Sequence, residues 1–510
     1  MRTSRFLGLS SLFAATVFVT GIGCAQKADP APAASADATT PKPAGDGKVP
    51  ITTSSAEAKA EYEQGRTLVD NLKITDAAPH FQKAVELDPS FAIAELSVAN
   101  SSPNGTAFFE HLNKAVALAD KASNGEKLTI LAAQAGANGD LTGQRNDLEQ
   151  LVAAYPNDER AHFALGTMDF AQNRYPEAIE QFQKAVALNP NYASAYNLLG
   201  YSLRQNVNYP ESEKAFQKYV ELIPKDPNPY DSYAELLLKM GRFDDAITQY
   251  RKALEIDPNF VNAHQGIAMA LLYQGKPDQA AAELANIDKK ARTDAERRTG
   301  LFALYVVHVD SGKLQRALQD AQAQYQLGEK SNDVGAMSFD KGLEGTILLE
   351  MGKPDQAKAQ YEEGVKLVQA SNLSQDIKNN SDLVLHYNLA RVAVAKKDFA
   401  TARQEADEFR AGATASKNPN QLKNSHELDG IIALAEKDYD KAIAELSQAN
   451  SQNPQDFYRI CVAYQGKGDA AKATEYCTKA ADFNSLPNQN YAWVRVKAKA
   501  GAEGQPAHGK

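Results

Sequence analysis

Four prolines, Pro156, Pro190, Pro224 and Pro258, recur at intervals of 34 residues. Such a period constrains the chain more than any other feature, because each period must be one small structural unit stacked on its like. With residue 159 as position 1, three repeats follow one template: 159–192, 193–226 and 227–260. Position 8 holds Gly166, Gly200 and Ala234, and position 20 holds Ala178, Ser212 and Ala246. Position 24 holds Phe182, Phe216 and Tyr250, and position 27 holds Ala185, Tyr219 and Ala253. Positions 1–14 and 15–28 each carry apolar residues at helical spacing, as in Ala178, Ile179, Phe182, Ala185 and Val186. A short polar break such as Gly241-Arg242-Phe243 parts the two helices. The small residues let the helices approach, and the aromatic at position 24 fills the space beside them. The proline at position 32 gives no backbone N–H and restricts the residue before it, so the second helix stops. One such hairpin cannot bury its own apolar face, which predicts an all-α stack of hairpins.

Small residues at positions 8, 20 and 27, with an aromatic at 24 and a proline at 32, resemble the tetratricopeptide repeat (TPR) pattern. The resemblance implies a right-handed TPR-type α-solenoid of about twelve helix hairpins. A first repeat fits 58–91, with Gly65, Ala77, Phe81, Ala84 and Pro89 at the template positions. The next, 92–124, is irregular, its first helix broken at Ser101-Ser102-Pro103-Asn104-Gly105. Phe108 and Phe109 follow, either filling the core left by the shortened helix or forming an exposed partner-binding edge. Repeats 125–158 and 261–294 keep phase, so a regular array spans 58–294. A divergent array follows over 295–487, with repeats near 298, 338, 383, 423 and 454. Residues 488–500 predict a capping helix with the only tryptophan, Trp493, and with its lysines and Arg495 on a solvated outer face. Residues 501–510 are expected to be disordered.

Residues 1–24 have the layout of a signal peptide: Arg2 and Arg5, then an uncharged run from 6 to 23. Gly21-Ile22-Gly23-Cys24 resembles a bacterial lipobox, although leucine is usual where Gly21 stands. The resemblance implies lipidation of Cys24; an ordinary secretory signal and an uncleaved anchor are the alternatives. No aspartate follows Cys24, so the family's inner-membrane retention signal is missing and an outer-membrane position facing the periplasm is expected. Residues 25–56 are rich in Ala, Pro, Ser, Thr and Asp and are expected to form a disordered tether. Membrane contact is thus expected through the lipid anchor only. The net charge of −9 and the lack of a basic stripe argue against nucleic acid.

The chain has no nucleophile elbow, P-loop, His-Glu-x-x-His or paired-cysteine zinc pattern, so neither an enzyme nor a cofactor or metal is expected. His162, His264, His386 and His426 share position 4, where Tyr196, Tyr230 and Phe457 stand in other repeats. They are read as packing substitutes rather than a ladder of ligands. Cys461 and Cys477 occupy positions 8 and 24 of the last repeat, which face each other across the hairpin. Helix axes ~8–10 Å apart and backbone radii of ~2.3 Å put their Cα atoms within a disulfide's reach. A bond is expected in an oxidising periplasm, with two buried thiols as the alternative.

TPR solenoids usually bind extended peptides in a concave groove, through first-helix positions 2, 5, 9, 12 and 13. Carried onto this chain, groove positions hold Asn197, Tyr201, Arg204, Gln205, Asp231, Glu235, Lys239, Gln265 and Tyr273. These amides, charges and tyrosines suit a peptide backbone and its side chains. A non-catalytic scaffold for a protein or extended peptide partner is the function implied. The alternatives are a small-molecule or glycan binder, in which 295–487 closes over a pocket, and a non-catalytic subunit of an envelope enzyme complex.

Overall fold

The computed structural model describes residues 46–505, apart from residues 103, 417 and 451. The signal, Cys24 and most of the tether lie outside the described residues. The fold is an α-solenoid, all helix among those residues, and it divides into two compact units, up to Leu236 and from Leu237 onward. Unit one begins with five hairpins: α1 (Ala56–Asp70) with α2 (Ile74–Leu87), α3 (Ala92–Asn100) with α4 (Gly105–Leu118), α5 (Asn124–Ala137) with α6 (Leu141–Ala154), α7 (Glu159–Ala171) with α8 (Tyr175–Leu188), and α9 (Ala193–Gln205) with α10 (Tyr209–Leu222). The division falls within α11 (Pro227–Lys239), and α12 (Phe243–Ile256) opens unit two. Six hairpins follow: α13 (Val261–Tyr273) with α14 (Pro277–Lys290), α15 (Asp294–Asp310) with α16 (Leu314–Lys330), α17 (Val334–Glu350) with α18 (Pro354–Gln369), α19 (Gln375–Ala395) with α20 (Phe399–Ser416), α21 (Pro419–Ala435) with α22 (Tyr439–Leu446), and α23 (Pro454–Lys467) with α24 (Ala470–Ala481). Two short helices, α25 (Gln489–Ala492) and α26 (Arg495–Ala502), stand where one capping helix was predicted, parted at Trp493 and Val494. α26 runs into the stretch expected as tail.

The template hairpins are shaped by two positions. At position 15 the chain must leave the first helix through a left-handed residue. Asn173, Val207, Gly241 and Gly275 stand there with φ of 59°, 60°, 74° and 78°. The next residue's N–H then reaches back to close the helix end, as Asn208 does to the Leu203 carbonyl at 2.9 Å. Position 8 sets how closely the helices pack. A Cβ on Gly200 would lie 2.7 Å from a carbon of the Phe216 ring, and one on Gly65 2.5 Å from the Phe81 ring. Phe182, Phe216 and Tyr250 are consequently buried outright.

The irregular second hairpin divides its two phenylalanines: Phe108 packs against the α1–α4 core, and Phe109 is 46% exposed. The tether also ends earlier than residue 56. Val49 N donates to Asp158 Oδ2 at 3.0 Å, and Thr52 N to Glu126 Oε1 at 2.9 Å. Asn157 holds Gly47 and Asp46 by their carbonyls at 2.9 and 2.7 Å. Glu126 in the first turn of α5, and Asn157 and Asp158 just ahead of α7, therefore hold residues 46–52 as a strap, which composition alone did not disclose.

Val207 is β-branched, lies in left-handed backbone and is 68% exposed, so its strain is offset by no packing. Val207→Gly is expected to stabilise the protein by about 1 kcal/mol, whereas Gly200→Ala should cost about 1–3 kcal/mol by overpacking the Phe216 ring. Urea unfolding followed by circular dichroism checks both.

Candidate functional site

In unit one the predicted groove residues sit on α9 and α11, and three of the six, Tyr201, Arg204 and Glu235, meet one another. Arg204 pairs with Glu235 at 3.0 Å, and its guanidinium lies 4.8 Å from the centroid of the Tyr201 ring. The Tyr201 hydroxyl donates to Ser232 Oγ at 3.1 Å. Glu235 is buried, and burial raises its carboxyl above the ordinary value against the pull of Arg204. Asn197 and Asp231 are buried as well, and Asn197 Oδ1 hydrogen-bonds to no protein group. Gln205 is half-buried at the end of α9. Ser194, at position 2 of its repeat, donates to the carbonyls of Val69 and Asp70 at 3.0 and 2.9 Å. Those carbonyls belong to the end of α1, where the regular ladder of intrahelical N–H donors runs out. Arg160 of α7 pairs with the Asp70 side chain. The first-helix face of unit one thus grips a piece of its own chain.

Unit two does the same. Lys239 and Tyr273, both at position 13, reach the residues that follow α24. Lys239 Nζ donates to the Phe483 carbonyl at 2.5 Å and lies 4.3 Å from the centroid of the Phe483 ring. The Tyr273 hydroxyl donates to the Ser485 carbonyl at 2.5 Å. Gln265 is spent differently: its Nε2 donates to the Thr299 carbonyl at 3.1 Å and braces α13 against α15.

Arg495 does not face solvent as the sequence led one to expect. It is 6% exposed, and its Nε donates to Asp310 Oδ2 at 2.6 Å while Nη2 reaches the other oxygen. The planar fork matches the carboxylate, which is what makes burial of both charges tolerable. Asp310, Phe483 and Ser485 were missed by the sequence reading. Their one signal was a run of aromatics, Phe483, Tyr491 and Trp493, in a stretch too short for another hairpin.

The four position-4 histidines each face across their own hairpin. Nδ1 of His162, His386 and His426 meets Gln181, Glu405 and Glu445 at 2.8, 2.7 and 2.7 Å, and His264 meets Glu283 in the same way. Each partner lies 19 residues downstream. No group of three or more His, Cys, Asp or Glu side chains among the described residues is arranged to hold a metal ion. Cys461 and Cys477 are joined as a disulfide with Cα atoms 5.2 Å apart, and Gly501 of α26 lies against Cys477 Sγ.

Family models match three stretches of this chain: a TPR repeat over residues 166–207, and a tetratricopeptide repeat over 193–226 and over 237–301. The chain carries tetratricopeptide repeats. The match over 193–226 has the bounds of the second template repeat. Among curated proteins none matches the chain. Similar solved structures include MamA, 26% identical over 32% of this chain and 98% of that chain, with a TM-score of 0.30. Another is YrrB, described as a TPR protein with an unusual peptide-binding site, 18% identical over 40% of this chain and 89% of that chain, with a TM-score of 0.27. A third, a tetratricopeptide repeat protein from Parabacteroides merdae ATCC 43184, is 13% identical over 64% of this chain and 98% of that chain, with a TM-score of 0.32.

Helices α21 and α23 hold a buried charge cluster. Arg459 of α23 donates from one nitrogen to Glu427 of α21 at 2.5 Å and to Asp456 at 2.7 Å. Two carboxylates share one guanidinium, and Asp456 is only 2% exposed. Burial, and then the nearby Glu427, push the Asp456 carboxyl up to about 7 against the pull of Arg459. An unfolded aspartate ionises near ~3.9. Between those values the folded protein binds more protons than the unfolded one, so this group costs stability as pH rises from about 4 to about 7. Asp456→Asn is expected to match the parent near pH 4 and to exceed its stability at pH 8, as thermal unfolding across that range will read.

Proposed function

We propose that the protein is a non-catalytic scaffold that holds polypeptide partners against the first-helix faces of its TPR units, at the bacterial cell envelope and on a lipid anchor at Cys24. The observation that carries the scaffold is in unit two. There Lys239 and Tyr273 hold two main-chain carbonyls of a non-helical segment. Carbonyls are common to every peptide, so side chains placed to bind them suit protein segments in general. The surroundings then choose among sequences. Tyr201, Arg204 and Gln205 offer the corresponding face in unit one.

The anchor rests on the lipobox resemblance at Gly21–Cys24 and on the Ala/Pro-rich stretch behind it. With two or more acyl chains at Cys24 attachment would be stable where a single chain would not suffice. No helix among the described residues is long and apolar enough to cross a membrane. The absence of aspartate after Cys24 favours the outer membrane, with the solenoid in the periplasm.

Cys24→Ala is expected to shift the protein from the detergent to the aqueous phase on Triton X-114 partition; unchanged partition and mobility would end the anchor proposal. A photo-crosslinking amino acid at Gln205 is expected to give discrete adducts in cells. The same group at Lys184, exposed on α8, should give none. Adducts at both positions alike, or at neither, count against the groove.

A further inference from the structure

Residues 482–488 leave α24 without helical structure, and Asn484 takes a left-handed φ of 33°. Residues 483–490 are each half-buried. Both flanks are held more firmly. The Tyr491 ring is buried, with its hydroxyl bonded to the Ala481 carbonyl, and Arg495 is pinned to Asp310. Between those fixed points the chain is a strap laid over α11 and α13. Its contacts there are those a foreign peptide would make: an aromatic ring on Lys239, and the carbonyls of alternate residues on Lys239 and Tyr273.

The fit is incomplete. Ser485 Oγ is buried and hydrogen-bonds to no protein group. Buried polar groups left unpaired weaken the state that contains them. A segment without an unpaired hydroxyl at that point would hold the same face better than the strap does.

We propose that residues 483–488 fill the unit-two groove in cis in place of a partner. That partner is a non-helical peptide segment with an aromatic residue to lie on Lys239, two positions before a residue whose carbonyl meets Tyr273. The inference rests on the groove being a polypeptide-binding face, and adds that it is closed at rest and loads by exchange of one segment for another. A strap tethered at both ends acts at an effective concentration in the millimolar range. A free peptide making only the same contacts is therefore outcompeted until the strap is weakened.

The test uses a fluorescein-labelled peptide of residues 481–492 (ADFNSLPNQNYA), titrated with the full chain and read by anisotropy. Phe483→Ala in the protein removes a half-buried ring, and is expected to tighten peptide binding at least tenfold over the parent. Adding Lys239→Ala should return binding to the parental level. Equal affinity of parent and Phe483→Ala, binding by neither, or indifference to Lys239→Ala overturns the proposal. Should Phe483→Ala melt early, hydrogen exchange on the unaltered parent decides. Saturating isotope-labelled peptide is expected to speed exchange at 484–488 and leave α23 unchanged, and unaltered exchange at 484–488 overturns the proposal. Gln205 adducts that persist when these tests fail overturn cis occupancy alone; their loss as well overturns the scaffold.

Discussion

A glycine lying under a ring is the contact on which the remaining architecture depends. Where position 8 lacks a Cβ, the position-24 side chain can cross the hairpin and close it, as in Gly65 with Phe81, Gly166 with Phe182, Gly200 with Phe216 and Gly345 with Tyr361. Close helices leave a flat apolar flank, and that flank is what the next hairpin covers. The last hairpin meets the same demand by covalent means, since Cys461 and Cys477 stand at those two positions and are bonded to each other. After α24 comes α26 rather than another hairpin, and its Gly501 lies against Cys477 Sγ.

Hairpin existence and phase were legible because they are local. Gly, small and aromatic residues at fixed offsets decide them, and the left-handed turn residue recurs at position 15 even where it is Val207, Lys397 or Lys437 rather than glycine. The histidines were legible as packing residues but not as paired ones. Yet a Glu or Gln 19 residues downstream of each was visible in the sequence. Arg495 was misread because its surroundings are set by Asp310, 185 residues away, which no local pattern encodes. The strap at residues 46–52 was lost for the same reason: its composition is that of a linker, and only the first turn of α5 and the loop ahead of α7 give it a place.

For the nine groove residues, the sequence offered no sign of the same-chain groups that several of them meet. Ser194 in unit one and Lys239 and Tyr273 in unit two spend their donors on carbonyls of the same chain. Arg204 and Glu235 answer each other, and Gln265 serves the stack. A solenoid face rich in donors is costly to leave unmet where solvent is excluded. Each unit resolves this by bringing back a stretch of backbone, a helix end in one and a loop in the other.

The strap also determines how the folded part takes a load. Tension arriving through the residues ahead of 46 does not fall first on the end of α1. It meets Asp46, Gly47, Val49 and Thr52, held side by side by Asn157, Asp158 and Glu126. A pull on residue 46 therefore loads those bonds, to residues of α5 and of the loop before α7, before it reaches the first turn of α1.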